Sequence, residues 1–94
     1  MWKIYEHKQV EKQLKSCPIE AQKKYEKWKD IVGISGSLGL ILIKGFSDEA
    51  LKGEWNGYRS SRLNRQYRVI YQTNMDEVFV QVEKMATHLK RDSY

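Results

Sequence analysis

Tyr58-Arg59-Ser60-Ser61-Arg62-Leu63-Asn64-Arg65-Gln66-Tyr67-Arg68-Val69-Ile70-Tyr71-Gln72 is the stretch on which the fold turns. Aromatic, β-branched and alternating residues mark two strands, Tyr58–Leu63 and Tyr67–Gln72, with a short turn at Asn64-Arg65 between them. Thr73–Asp76 carries the next turn. Beyond it Glu77–Lys84 alternates Val78, Val80 and Val82 with Phe79, Gln81 and Glu83, the period of a strand with one buried face. Three consecutive strands joined by tight turns predict an antiparallel meander.

Working back from the meander, Gly45 to Asn56 reads as an ordered loop with one helical turn at Ser47–Leu51, capped by Ser47. Asn56-Gly57 is the turn that leads into the first strand. Gly33–Gly45 encloses the apolar segment Leu38–Ile43, and periodicity does not decide there between buried strand and short helix. Before it, Ala21, Tyr25, Trp28 and Val32 form the stripe of a helix that starts at Pro18, whose missing N–H costs nothing in a first turn, and stops at Gly33. Val10 and Leu14 mark a shorter amphipathic helix from about Lys8. Trp2–Tyr5 alternates as a short strand. The expected fold class is α+β: two N-terminal helices packed on one face of a small, mainly antiparallel sheet, in a single domain over residues 1–94. The other sheet face is left for solvent or a ligand.

Composition narrows the function. The chain has 94 residues, 40% hydrophobic and 31% charged with one proline, which suits one small globular domain. Leu38–Ile43 is far shorter than the roughly 20 apolar residues that span a bilayer, so no membrane association is expected. Met1–Glu6 has no apolar stretch of signal-peptide length. Cys17 stands alone, which excludes an internal disulfide and suits a reducing cytoplasm. His7, Cys17 and His88 are too scattered for a zinc site, and no metal or other cofactor is expected.

Lys and Arg number 17 against 12 acids, a net charge of +5 that favours polyanionic partners. The ten basic residues before Tyr58 are all lysines, and the five arginines all follow it. Arg59, Arg62, Arg65 and Arg68 fall within ten residues that hold no acid. Arginine is the forked cation suited to phosphate, so the sheet is expected to carry a basic surface. A two-residue turn would set Arg62 beside Tyr67 and Ser61 beside Arg68, and neither face would collect all four arginines. His88 can exchange a proton at neutral pH. Glu49 reads more as a helix-end acid than as a base, Tyr94 ends the chain, and Trp2, Trp28 and Trp55 read as core or core-edge.

Leu51-Lys52-Gly53, Gly57-Tyr58-Arg59 and Tyr67-Arg68-Val69-Ile70-Tyr71, followed by a hydrophobic strand and a short charged tail, resemble the signature region of the RelE/ParE toxin superfamily. The resemblance is to RelE, YafQ and HigB-type toxins, and Thr87-His88 after the last strand is similar to the YafQ branch. It implies a microbial-RNase-type fold and a type II toxin that cleaves mRNA in the ribosomal A site without metal, by attack of a ribose 2′-OH. A cognate antitoxin is the implied partner, in a hetero-oligomer, with a monomer when free.

By the same resemblance Arg68 stabilises the phosphate, Arg59 contributes to catalysis and His88 is the general acid. Glu49 and Arg62 stand where YafQ-type toxins have histidines, and Gln66 where they have an aspartate. Tyr94 lies near the family's C-terminal aromatic. Lys52, Arg65, Tyr67, Lys84, Lys90 and Arg91 are the implied contacts to mRNA and rRNA. Two alternatives stand beside this reading: a ParE-like poison of DNA gyrase, and a non-catalytic RNA-binding module.

Overall fold

The valine alternation of Glu77–Lys84 and the run Tyr67–Asn74 pair in full antiparallel register in the computed structural model, which describes residues 1–84. These are β5 and β4 of a five-stranded sheet of order β1-β5-β4-β3-β2, with β1 Lys3–Glu6, β2 Glu49–Ala50 and β3 Arg59–Arg62. Only β1 runs parallel to its neighbour, β5; the rest of the sheet is antiparallel. Between β1 and β2 lie α1 Val10–Lys15, α2 Ile19–Ser35 and α3 Ser37–Ile41. The expected α+β architecture is the one observed.

The core forms where the α2 stripe meets the odd residues of β4 and the even residues of β5. Ala21, Tyr25, Trp28 and Val32 pack with Val69, Tyr71, Val78, Val80 and Val82, all nearly or fully buried. The Tyr25 and Trp28 rings stack at 5.8 Å, and Trp28 meets Tyr71 edge-on at 5.3 Å. Trp28 also donates its Nε1–H to Ser61 Oγ at 3.0 Å, which ties the helix layer to β3.

Four expectations need correction. The helix does not stop at Gly33. It continues to Ser35, and Gly36 ends it at φ 64°, ψ −155°, a backbone region for which glycine is suited. A Cβ on Gly36 would lie 2.5 Å from the Trp2 ring. The Ser47–Leu51 segment is not helical: Ser47 closes a 3-10 turn at Lys44–Phe46, and Glu49–Ala50 pairs with β3 as an edge strand. The first strand is Lys3–Glu6, shifted by one residue from Trp2–Tyr5.

The fourth correction is the largest in consequence. The turn after β3 holds Asn64, Arg65 and Gln66 instead of two residues, because Asn64 Oδ1 accepts the N–H groups of both Gln66 (2.8 Å) and Tyr67 (2.7 Å). The register therefore moves by one, and Arg62 faces Arg68 while Ser61 faces Val69.

Candidate active site on the sheet face opposite the helices

Side chains alternate along a strand, so this register sorts the sheet into two chemistries. Ser61, Val69 and Tyr71 face the helices, whereas Ser60, Arg62, Arg68 and Ile70 face away from them. Glu49, on β2 opposite Ser60, joins the second set. Glu49, Ser60, Arg62 and Arg68 together with Ser47 line one pocket of about 60 Å³. Its elements are the edge strand β2, β3 and β4, so an acid and two guanidiniums converge from three strands. Arg68 is nearly buried at 7% exposure, whereas Arg62 and Glu49 are exposed. A guanidinium held by packing is already placed for an anion, and it loses little freedom on binding one.

Lys24 on α2 has its pKa lowered by burial and by the nearby charges of Arg62 and Lys27. Its Nζ donates to the Gly45 carbonyl oxygen at 2.5 Å and lies 5.1 Å from the Phe46 ring centre.

Arg59 is on the other side of the sheet from Arg62, as alternation requires. Its Nε donates to Asp48 Oδ1 at 2.7 Å, and Asp48 has no exposed side-chain surface. Ser61 Oγ and Tyr71 Oη also donate to Asp48, at 2.7 and 2.6 Å. Burial alone would lower the Arg59 pKa, but the hydrogen bond and charge of Asp48, with help from Tyr71, leave it raised. Burial and the Asp48 carboxylate push the Tyr71 phenol well above its ordinary value, against a smaller opposing effect of Arg59. Asp48 thus anchors the segment that presents Glu49. A lone aspartate in a loop carries no spacing signal, and sequence reasoning passed over it.

The remaining expected site residues lie apart. Lys52 is exposed ahead of the 3-10 turn Gly53–Trp55, and Arg65 is exposed at the tip of the β3–β4 loop. Tyr67 packs against the helix-side core. Gln66, in the same loop as Arg65, is exposed. Lys84 ends β5 opposite Tyr67. His88, Lys90, Arg91 and Tyr94 lie outside the described residues.

The fold is shared with known proteins. Over 93% of this chain and 99% of the other, it superposes on the toxin of the heterotetrameric YoeB–YefM toxin–antitoxin complex from Staphylococcus aureus, with a TM-score of 0.69 and 20% identity. The fold is that of the RelE/ParE toxins. RelE in the archaeal RelE–RelB complex from Pyrococcus horikoshii OT3 matches this chain with a TM-score of 0.68 at 25% identity, over 88% of this chain and 93% of its own. A variant of YafQ from E. coli gives 0.62 and 19% over 90% and 94%. No family model and no curated protein sequence matches the chain.

Proposed function

We propose that this chain is the toxin of a type II toxin–antitoxin pair and that it cleaves mRNA, in the ribosomal A site, at the Glu49–Arg62–Arg68 pocket. The observation that carries the reading is the convergence of one carboxylate and two arginines on the sheet face opposite the helices. Solved neighbours of the same fold occur in complexes with YefM and RelB, which supports an antitoxin as partner.

The pocket supplies what a ribonuclease step requires. Glu49 takes the proton of a ribose 2′-OH, and O2′ attacks the adjacent phosphorus. Arg62 and Arg68 stabilise the charge that builds on the equatorial oxygens. The P–O5′ bond breaks as His88, the acid in this reading, gives its proton to the leaving oxygen, which yields a 2′,3′-cyclic phosphate and a 5′-hydroxyl. Arg59 acts at one remove, by holding Asp48 and through it the strand that bears Glu49.

The test is expression of the chain alone with readout of transcripts and DNA topology. Growth arrest with transcripts cut at discrete codon positions is expected, and Arg68→Ala should lower cleavage about 100–1000-fold while the protein stays folded. His88→Gln should lower it about 100-fold or more. Intact transcripts with blocked gyrase would give the ParE-like reading, and neither effect would leave a binding module.

A further inference from the structure

The sheet face opposite the helices continues beyond the arginines through the buried Ile70, and its far end has a different chemistry. Register places Arg68, Ile70 and Gln72 in succession along β4, with Glu83, Gln81 and Phe79 opposite them on β5. Tyr5 on β1 pairs with Phe79. The face thus changes from a guanidinium pair at Arg62 and Arg68 to an aromatic pair at Tyr5 and Phe79, four residues or about 14 Å further along the strands. The two rings stack, with centres 5.4 Å apart and planes 18° from parallel. Both stay open to solvent, Tyr5 at 45% and Phe79 at 43% exposure. Two stacked, half-exposed rings in a 94-residue domain leave much apolar area in water unless a planar partner covers it.

Beside the rings is a cavity of about 220 Å³ lined also by His7, Tyr58, Gln72 and Gln81. The two glutamine amides offer donors and acceptors, the complement of a base edge. Glu6, which also lines the cavity, is engaged by the Tyr25 hydroxyl at 2.5 Å and by Lys29 at 3.7 Å. His7 accepts the Gln9 N–H at Nδ1, which leaves Nε2–H as its donor. An apolar peptide side chain in this cavity would strip water from these polar groups without replacing its hydrogen bonds, whereas a nucleobase presents both a π-face and a polar edge.

We infer that the Tyr5–Phe79 pair, with Gln72 and Gln81, is a nucleobase subsite that takes a base about two nucleotides from the phosphate held by Arg62 and Arg68. The inference rests on the sheet face opposite the helices as the RNA surface proposed above. It adds a reader of sequence, or at least of base against no base, remote from the bond that breaks. Register sets both places on one sheet face, the guanidiniums at Arg62 and Arg68 and the rings level with Gln72.

The test uses the full chain and a labelled hexaribonucleotide with 2′-O-methyl groups throughout, which cannot be cut. Tyr5→Ala and Phe79→Ala should each weaken its binding about 5- to 150-fold, the range for losing one stacked base. Tyr5→Phe should bind like the parent. Scanning one abasic position through the oligonucleotide should find a position that weakens the parent protein and not Phe79→Ala. On ribosome-bound mRNA the same variants should raise KM and spare kcat. Unchanged affinity in both alanine variants overturns the subsite even if the parent cleaves. Ring-dependent binding by a parent that cuts nothing keeps the subsite and removes the nuclease. Variants that lose self-association and keep RNA affinity would make the rings a contact between copies, and the subsite would fall.

Discussion

Asp48 and Glu49 are neighbours in sequence with opposite fates. Asp48 has no exposed side-chain surface and three donors, from Arg59, Ser61 and Tyr71; Glu49 is exposed on the other face beside Arg62 and Arg68. Removing one partner from a buried charged cluster leaves the other charge desolvated, which typically costs about 3–5 kcal/mol. Asp48→Ala should therefore lower stability by about that amount in urea unfolding, and Tyr71→Phe by about 1 kcal/mol. Glu49→Gln should leave stability within about 0.5 kcal/mol and remove cleavage. A stable Asp48→Ala variant would mean that the cluster relaxes at little cost. At this scale the sequence showed the residue types but not their pairings. The arginine run was visible, whereas the facing of Arg62 and Arg68 depends on Asn64 accepting two backbone N–H groups, which adds one residue to the loop and moves the register.

Element by element, legibility followed periodicity. The α2 stripe of Ala21, Tyr25, Trp28 and Val32 and the valines of β5 announced themselves because burial imposes a period on them. Residues 33–45 were unreadable because Ile34, Leu38, Ile41 and Leu42 are exposed, so their apolar character marks no core. The end of α2 was misplaced for a tertiary reason. Gly33 sits inside the helix with nothing within 4 Å of where a Cβ would be, whereas Gly36 has positive φ and the Trp2 ring against it. The two glycines should respond oppositely to alanine. Gly33→Ala should stabilise by about 0.5–1 kcal/mol, through lower entropy of the unfolded chain. Gly36→Ala must bear both a strained backbone and a displaced indole, and should destabilise by about 2–4 kcal/mol. Thermal or urea unfolding of the pair decides it, and equal effects would refute the assignment of the helix end.

Across the whole molecule, two fully buried tyrosines each donate to a carboxylate, one joining the helix layer to β1 and the other joining β4 to the segment that enters β2. Tyr25 donates to Glu6 on β1, and Tyr71 to Asp48 at the entry to β2. Burial raises both phenol pKa values above the ordinary 10.0, and the adjacent carboxylates raise them further. The sign of the consequence is fixed by linkage. Below pH 10 both folded and unfolded chains keep these protons, and the tyrosines contribute their full stabilisation. As pH rises past 10 the unfolded chain releases them while the folded chain holds them, so stability falls. The slope is about 1.4 kcal/mol per pH unit for each tyrosine, or nearly 3 for both. Against a typical total of about 5–15 kcal/mol, one or two pH units remove a large part of it. Urea unfolding between pH 9 and 12 should show this decline. The neutral Phe variants isolate its cause, since lysines titrate in the same range: Tyr25→Phe and Tyr71→Phe should each start less stable at pH 8 and each lose about half of the excess slope. A double variant that declines as steeply as the parent would place the alkaline sensitivity in the lysines, and the two phenols would then be packing groups alone.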